Sequence, residues 1–418
     1  MDRVVMQKEK SMKATVFRFT NSMEDPRRFL KEATKFVEEN VSSGEKVVCA
    51  LSGGVDSSTT AEIFRRAIGN RLYPLHFDTG FMRRIGGKEE VKLVEESFKD
   101  FENFELIDKK ETFYDNVFGK EDAEEKRKSF RSTYEQVLNE KIEEIGATVM
   151  TQGTIRPDIL ETEGKIKSQN NVDTDFDVEK LVEPLAGLYK PDVRKLAKEL
   201  GFPEKNWMRQ PFLGPGLSAR TVGVVNREKL ENEKIANDLV ERFVERYFEK
   251  NYGRVGLWDE VVGARIPFQY FAVTLDGEME ANGEINEYLE DLGLDAEAFN
   301  LKNKATGVKE VEGGRERVYS PPVLLRGNLE PEVLNYLGRE VPSRFGVSRV
   351  LFQLVGSEET DWIVGIRAVD SKDAITAEPL EIPLSEWEEL GKEIARETDS
   401  KIVAYDLTPK PPATIEYE

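Results

Sequence analysis

The stretch that most restricts this chain is KVVCALSGGVDSS, in which an apolar run of buried-strand type gives way at Ser52 to two glycines and then to a helical pattern from about Ser57. A strand, a glycine loop and a helix in that order bring the helix N-terminus and the loop amides to one point, where unpaired N–H groups concentrate partial positive charge. Glycine at 53 and 54 lets the backbone approach an anion, and the hydroxyls of Ser52, Ser57 and Ser58 add donors there. The segment Ser52-Gly53-Gly54-Val55-Asp56-Ser57-Ser58 is therefore read as a cradle for phosphate or pyrophosphate. It lacks the GK[ST] ending of the Walker loop, so transfer of a terminal phosphoryl group by that device is not expected. The plainer alternative is a glycine turn that only caps a helix. Asp56 inside the loop and the serines after it speak against that.

The segments around this loop continue the alternation. Residues 25–40 place Phe29, Leu30, Ala33, Phe36 and Val37 on one helical face, with Asp25 as the cap and Pro26 at the first helical position. LYPLHFDTG is a second apolar strand, and strand, helix, strand implies a parallel sheet with right-handed crossovers. A helix over Glu124–Glu144, the strand ATVMTQGT, and KLVEPLAGLYKPDVRKLAKELG as strand, turn and helix complete a doubly wound α/β domain over residues 25–222. The loop RQPFLGPGLSAR closes that half. Residues 223–418 open with a long helix, NREKLENEKIANDLVERFVERYFEKN, and continue in short strands, QYFAVTL, RVLFQLVG and WIVGIRAV, as a smaller α+β domain. Residues 1–24 are an N-terminal extension, and an acidic stretch near 276–301 has helical patterning and looks inserted. No repeat of fixed period is found.

Composition removes whole classes of chemistry. The one cysteine, Cys49, allows no intrachain disulfide, and the one histidine, His76, excludes any site needing two imidazoles. Cys49 lies inside the apolar strand, which fits a buried structural thiol better than a nucleophile. The 80 acidic against 60 basic residues give a formal charge of −20, which opposes nucleic-acid binding. No apolar run approaches the roughly 18 residues of a membrane span, and the first residues lack the apolar core and cleavage site of a secretory leader. No membrane association and a cytoplasmic location are expected.

SGGVDSS resembles the PP-loop of the N-type ATP pyrophosphatases, enzymes that use ATP to adenylylate an oxygen and release pyrophosphate. The blocks DTGFMRR, TQGTIRPDILET, GKIKSQNNV, KLVEPL, RQPFLGPGLSAR and, at the end of the sequence, KPPATIEYE resemble in their order the GMP synthetases, in particular the synthetase subunit of their two-subunit, archaeal-type form. The resemblance implies an adenine nucleotide alpha hydrolase-like sheet domain followed by a dimerisation domain that forms a homodimer. It implies ATP-dependent amination of xanthosine 5'-monophosphate (XMP) to GMP through an adenylyl-XMP intermediate, with ATP and Mg²⁺ and with ammonia from a separate glutaminase subunit.

Residue by residue, the resemblance implies ATP contacts at the loop Ser52–Ser58 (Ser52, Gly53, Gly54, Val55, Asp56, Ser57, Ser58) and at Asp78, Gln152, Gly153 and Thr154, with catalytic roles for Asp56 and a lid lysine, Lys167. It implies XMP contacts at Arg127, Arg209, Gly214, Gly216, Lys410, Thr414, Ile415 and Glu416. Asp158 and Glu161, three apart, would share one side of a helical turn and suit Mg²⁺ against a triphosphate; a capping pair is the alternative. The cations Lys126, Arg127 and Lys128 read on their own as a solvated helix face. The two prolines of the tail stiffen it, and so defined a sequence is expected to be tied down.

Departures from the pattern are few. Gln169 and Asn170 stand where the family usually has histidines, so acid–base work is not expected of them, and Gln210 and Leu213 replace a usual histidine and proline. A glutaminase needs a cysteine nucleophile and a histidine base, and the only cysteine and histidine here lie in synthetase strands, hence the separate glutaminase. Two other readings stay open: a PP-loop ligase acting on another substrate, and a nucleotide-binding paralogue without catalysis.

Overall fold

The computed structural model describes residues 14–163, 176–259, 264–311, 314–356, 360–372 and 375–418. The chain forms two compact units, one from residues up to 78 with 94–109 and 132–209, the other from 79–93, 110–131 and 210–418. Among the described residues no helix is long and apolar enough to cross a membrane.

The first unit begins with β1 (Thr15–Arg18), α1 (Pro26–Asn40), β2 (Val47–Ala50), α2 (Val55–Ile68) and β3 (Leu72–Asp78). A small ribbon of β4 (Arg84–Ile85) and β5 (Lys88–Glu89) belongs to the second unit, after which come α3 (Glu90–Phe98) and β6 (Glu105–Asp108). Then follow α4 (Lys110–Val117), which also belongs to the second unit, α5 (Ala123–Ile145), which opens in the second unit and ends in the first, and, in the first, β7 (Val149–Thr151), α6 (Arg156–Glu163), β8 (Lys180–Glu183), α7 (Lys190–Glu199) and the short α8 (Glu204–Trp207). The expected cap is present: Asp25 accepts from the Arg28 amide at 2.8 Å, and Pro26 opens α1.

Six strands pair in the order β1-β8-β7-β2-β3-β6, every pair parallel. Both faces are covered, as the unbroken apolar runs require. Val47, Cys49 and Leu51 join a core with Phe29 and Val37 of α1, Phe64 of α2 and Leu196 of α7. On the other face Phe77 of β3 meets Tyr134 of α5 with ring centroids 5.5 Å apart. The order places the chain's turning point between β2 and β7, since β3 and β6 lie to one side of β2 and β7 and β8 to the other. Loops leaving the carboxyl ends of those two neighbours diverge there and open a crevice.

The second unit is built on α9 (Arg227–Tyr252), capped by Asn226, whose side chain accepts from the Lys229 amide at 2.8 Å. Next come β9 (Leu257–Asp259), β10 (Ala264–Ile266), β11 (Gln269–Asp276), β12 (Met279–Ala281), α10 (Gly283–Asp291), β13 (Ala296–Leu301), β14 (Ala305–Val311), β15 (Gly314–Ser320) and β16 (Val323–Gly327). The last elements are α11 (Pro331–Phe345), β17 (Val350–Val355), β18 (Trp362–Asp370), β19 (Glu378–Pro379), α12 (Leu384–Glu397) and β20 (Ile402–Asp406). A mixed sheet runs β11-β18-β20-β17-β16-β13-β12.

Strand periodicity buries both faces of this sheet. Tyr270 and Ala272 face a core with Val240 of α9 and Trp387 of α12, while Phe271, Val273 and Leu275 face a second core that includes Ile415 and Tyr417. The tail is thus packed against the sheet. The acidic stretch near 276–301 comprises β12, α10 and β13, and β13 pairs antiparallel with β16. Its helix buries Ile285, Tyr288 and Leu289 and exposes Glu284, Glu287 and Glu290, so the acidity is a solvated outer face.

Candidate nucleotide site

The loop after β2 is organised by its own hydroxyls. Ser52 Oγ lies 3.1 Å from Ser57 Oγ and accepts from the Gly54 amide at 3.3 Å, while Ser58 Oγ donates to the Gly54 carbonyl at 2.8 Å. Gly53 has φ +76°, and a Cβ there would lie 2.7 Å from Val94 Cγ2, so the position is closed to other residues. Arg209 donates to the Gly53 carbonyl at 2.7 Å. Behind the loop, His76 Nδ1 donates to the Leu51 carbonyl at 2.8 Å, which assigns the proton to that nitrogen. Burial lowers the imidazole's pKa, only partly offset by this hydrogen bond and by Asp78 at the end of β3, a net shift that favours the neutral ring.

Asp56 stands in the first turn of α2. Its Oδ2 accepts from Lys190 Nζ at 2.5 Å, and its Oδ1 is buried with no hydrogen-bond partner among the described residues. An acceptor-only atom buried without a donor costs free energy, and a cation or a donor from a ligand would relieve it. Lys190 is a residue that sequence reasoning missed. It opens α7, where the helix dipole disfavours a cation, so a lysine there calls for a nearby anion.

The loop after β7 approaches from the neighbouring strand. A Cβ on Gly153 would fall 2.7 Å from the Ser57 amide nitrogen, which explains the glycine as the contact point between the two loops. Gln152 is buried, its Nε2 unpartnered among the described residues, whereas the hydroxyl of Thr154 donates inward to Glu183 at 2.5 Å. Asp158 uses Oδ2 to accept from the Ile155 amide at 3.0 Å, a capping contact. Only the backbone of Glu161 is described, and Lys167, Gln169 and Asn170 lie outside the described residues.

In the second unit, Gly216 has φ +62° and a Cβ there would meet the Phe81 carbonyl oxygen at 2.4 Å, so the GPG loop packs directly on the DTGFMRR segment. Around Gly214 a Cβ would meet nothing. Gln210 accepts from the Tyr270 amide at 2.9 Å and thereby anchors β11. Arg127 is of intermediate exposure and pairs with Glu124. Lys410 is fixed through its backbone, which exchanges hydrogen bonds with Ala377. Arg220 holds Glu416 with two hydrogen bonds of 3.2 and 3.0 Å. Ile415 is a core residue, and the hydroxyl of Thr414 lies 2.7 Å from that of Thr306 and accepts from Arg349 at 2.9 Å.

Known proteins are similar in sequence to nearly the whole of this chain. Residues 348–417 match the family described as the GMP synthase C terminal domain. The chain is 37% identical over 404 residues to the B subunit of the glutamine-hydrolyzing GMP synthase of Sulfurisphaera tokodaii, covering 94% of this chain and 99% of that protein. It is 37% identical over 401 residues to the protein of the same name in Methanocaldococcus jannaschii, covering 95% and 100%. Among solved structures it is similar to an NH3-dependent NAD synthetase from Campylobacter jejuni, at a TM-score of 0.36 and 19% identity over 44% of this chain and 77% of that one. With identity to the GMP synthase proteins at this level over nearly the whole length of both chains, the protein belongs to the family of glutamine-hydrolyzing GMP synthase B subunits.

Proposed function

We infer that this protein is an ATP-dependent ligase that forms a C–N bond, converting XMP to GMP. O2 of XMP attacks the α-phosphorus of ATP and pyrophosphate leaves; ammonia then attacks C2 and AMP departs with that oxygen. The observation that carries this reading is the glycine cradle of Ser52–Gly54 at the turning point of a parallel sheet, in a chain of this family. No side-chain nucleophile is needed, because the work is positioning and charge stabilisation. The loop amides and the N-terminus of α2 suit the leaving pyrophosphate, and Lys190 can turn its ammonium from Asp56 to phosphate oxygens.

Mg²⁺ fits this arrangement. The ion commonly takes one or two carboxylates together with phosphate oxygens, and the buried, unpartnered Oδ1 of Asp56 is an acceptor that suits it, with Asp158 and Glu161 as further candidates. When bound it would neutralise the triphosphate. Arg127, Arg209, Gly214, Gly216, Lys410, Thr414, Ile415 and Glu416 are the proposed XMP contacts. The homodimer that the resemblance implies would draw on residues 223–418, whose sheet ends, among the described residues, in the edge strand β12.

Nitrogen must come from elsewhere. Cys49 is fully buried, and burial pushes its thiol up to about 12, so this chain offers no thiolate to attack glutamine. A separate glutaminase subunit is the proposed source. The purified chain is expected to make GMP from XMP, ATP, Mg²⁺ and ammonium, and to make none when glutamine replaces ammonium. Glutamate release matching GMP formation, in a preparation shown by mass spectrometry to lack any glutaminase, would overturn that assignment.

A further inference from the structure

The three cations that open α5 have three different surroundings. Lys128 is exposed and the side chain of Arg127 is 10% exposed, but that of Lys126 is only 1% exposed. Its Nζ donates to the Thr221 carbonyl at 2.9 Å and to Glu418 Oε2 at 2.5 Å. Glu418 is buried as well, and its Oε1 accepts from the Gly223 amide at 3.2 Å. Two residues earlier in the tail, Glu416 is held by Arg220. The segment 220–223 therefore receives alternate acids of the extended tail. A second buried lysine, Lys229, donates to the Val222 carbonyl and to Asp276 Oδ1 at 2.6 Å, fixing that segment from behind.

Removing a lysine and a carboxylate from water is unfavourable, and an apolar pair would often be at least as stable. Burial lowers Lys126 and raises Glu418, and in each case the opposite charge works against the shift, so either group loses its support when the other is removed. What the ion pair adds over an apolar contact is register: it joins a fixed point on α5, one residue from Arg127, to a fixed point on the tail, two residues from Glu416.

We propose that Lys126 is a positioning residue for the nucleotide substrate, which by clasping Glu418 sets the segment Lys410–Glu416 in register with Arg127. The proposal rests on the reading of that segment and Arg127 as XMP contacts. It is tested on the full chain with Lys126→Met, Glu418→Gln, the double variant and Lys126→Arg, by kinetics with ammonium and by hydrogen exchange of the 413–417 amides. Each single charge-removing variant is expected to raise KM for XMP about tenfold, with KM for ATP changed less than about twofold, and the double variant is expected to be no worse than either. Lys126→Arg keeps the charge and should recover most of the loss, which also covers the case in which the methionine variant fails to fold. Equal shifts in both KM values, or additive effects in the double variant, would overturn the proposal. Should the wild type show no XMP-dependent turnover, the functional reading fails separately and exchange decides the clasp: amides 413–417 at least about tenfold faster in each single variant and no faster in the double support it, and unchanged exchange refutes it.

Discussion

Asp56→Ala is expected to lower XMP-dependent pyrophosphate release by at least about 10²–10³-fold, the range seen when one preorganised electrostatic group is removed from an active site. The variant loses the buried acceptor Oδ1 at the cradle and leaves Lys190 without its partner at the N-terminus of α7, where the dipole opposes it. The fold should survive, because the Asp56 side chain is 24% and the Lys190 side chain 38% exposed, and a pair so open to solvent contributes at most about 1 kcal/mol. Pyrophosphate release and a melting curve on the same preparation separate the two effects. Near-normal turnover in a folded variant would take Asp56 out of the machinery.

The largest stability effect is expected at Asp406. Its carboxylate, fully buried, lies 3.0 Å from Arg349 and 3.4 Å from Arg367, both also fully buried, and accepts from the Tyr417 hydroxyl at 2.8 Å. Those two arginines in turn donate to the Thr408, Thr414 and Glu416 carbonyls and so hold the tail. Asp406→Asn leaves two guanidinium charges without a counter-ion, which costs about 3–5 kcal/mol, or a fall of about 6–20 °C in the melting midpoint of a unit of this size. Burial alone would raise the Asp406 pKa, but Arg367 and Arg349 outweigh it and hold the carboxyl below its ordinary value of about 3.9. A depressed folded-state pKa stabilises above the unfolded pKa and is lost as pH falls through the folded one. The gap between wild type and Asp406→Asn should therefore be full at pH 7 and narrow below about pH 4. Melting curves across that range check both parts, and equal midpoints at pH 7 would show that the cluster contributes nothing net.

Much of the first unit was legible because its signals are local. An apolar run followed by glycines and a helical period specifies strand, loop and helix within some twenty residues, and Asp25 followed by Pro26 marks a helix start by capping chemistry alone. The buried tail was legible from its proline pair. What escaped depends on contacts between distant residues. Residues 79–93 and 110–131 group with the second unit through packing that no periodicity records. Lys190 was read only within a segment of strand, turn and helix, although the dipole argument could have singled it out. Lys126 and Arg127 are neighbours with the same charge, and sequence has no means of telling that one is enclosed by Thr221 and Glu418 while the other is of intermediate exposure. The acidic stretch near 276–301 carried one strong helical period, of α10, which masked the short strands β12 and β13 on either side.

The central claim is that the oxygen at C2 of XMP becomes bonded to the α-phosphorus of ATP before nitrogen arrives. XMP labelled with ¹⁸O at C2, turned over by the purified chain with ATP, Mg²⁺ and ammonium, tests it by mass spectrometry of the products. AMP is predicted to carry the label and pyrophosphate to lack it. Label appearing in pyrophosphate or in inorganic phosphate, with unlabelled AMP, would place the attack on another phosphorus and contradict the reading of the Ser52–Ser58 loop as a pyrophosphate cradle.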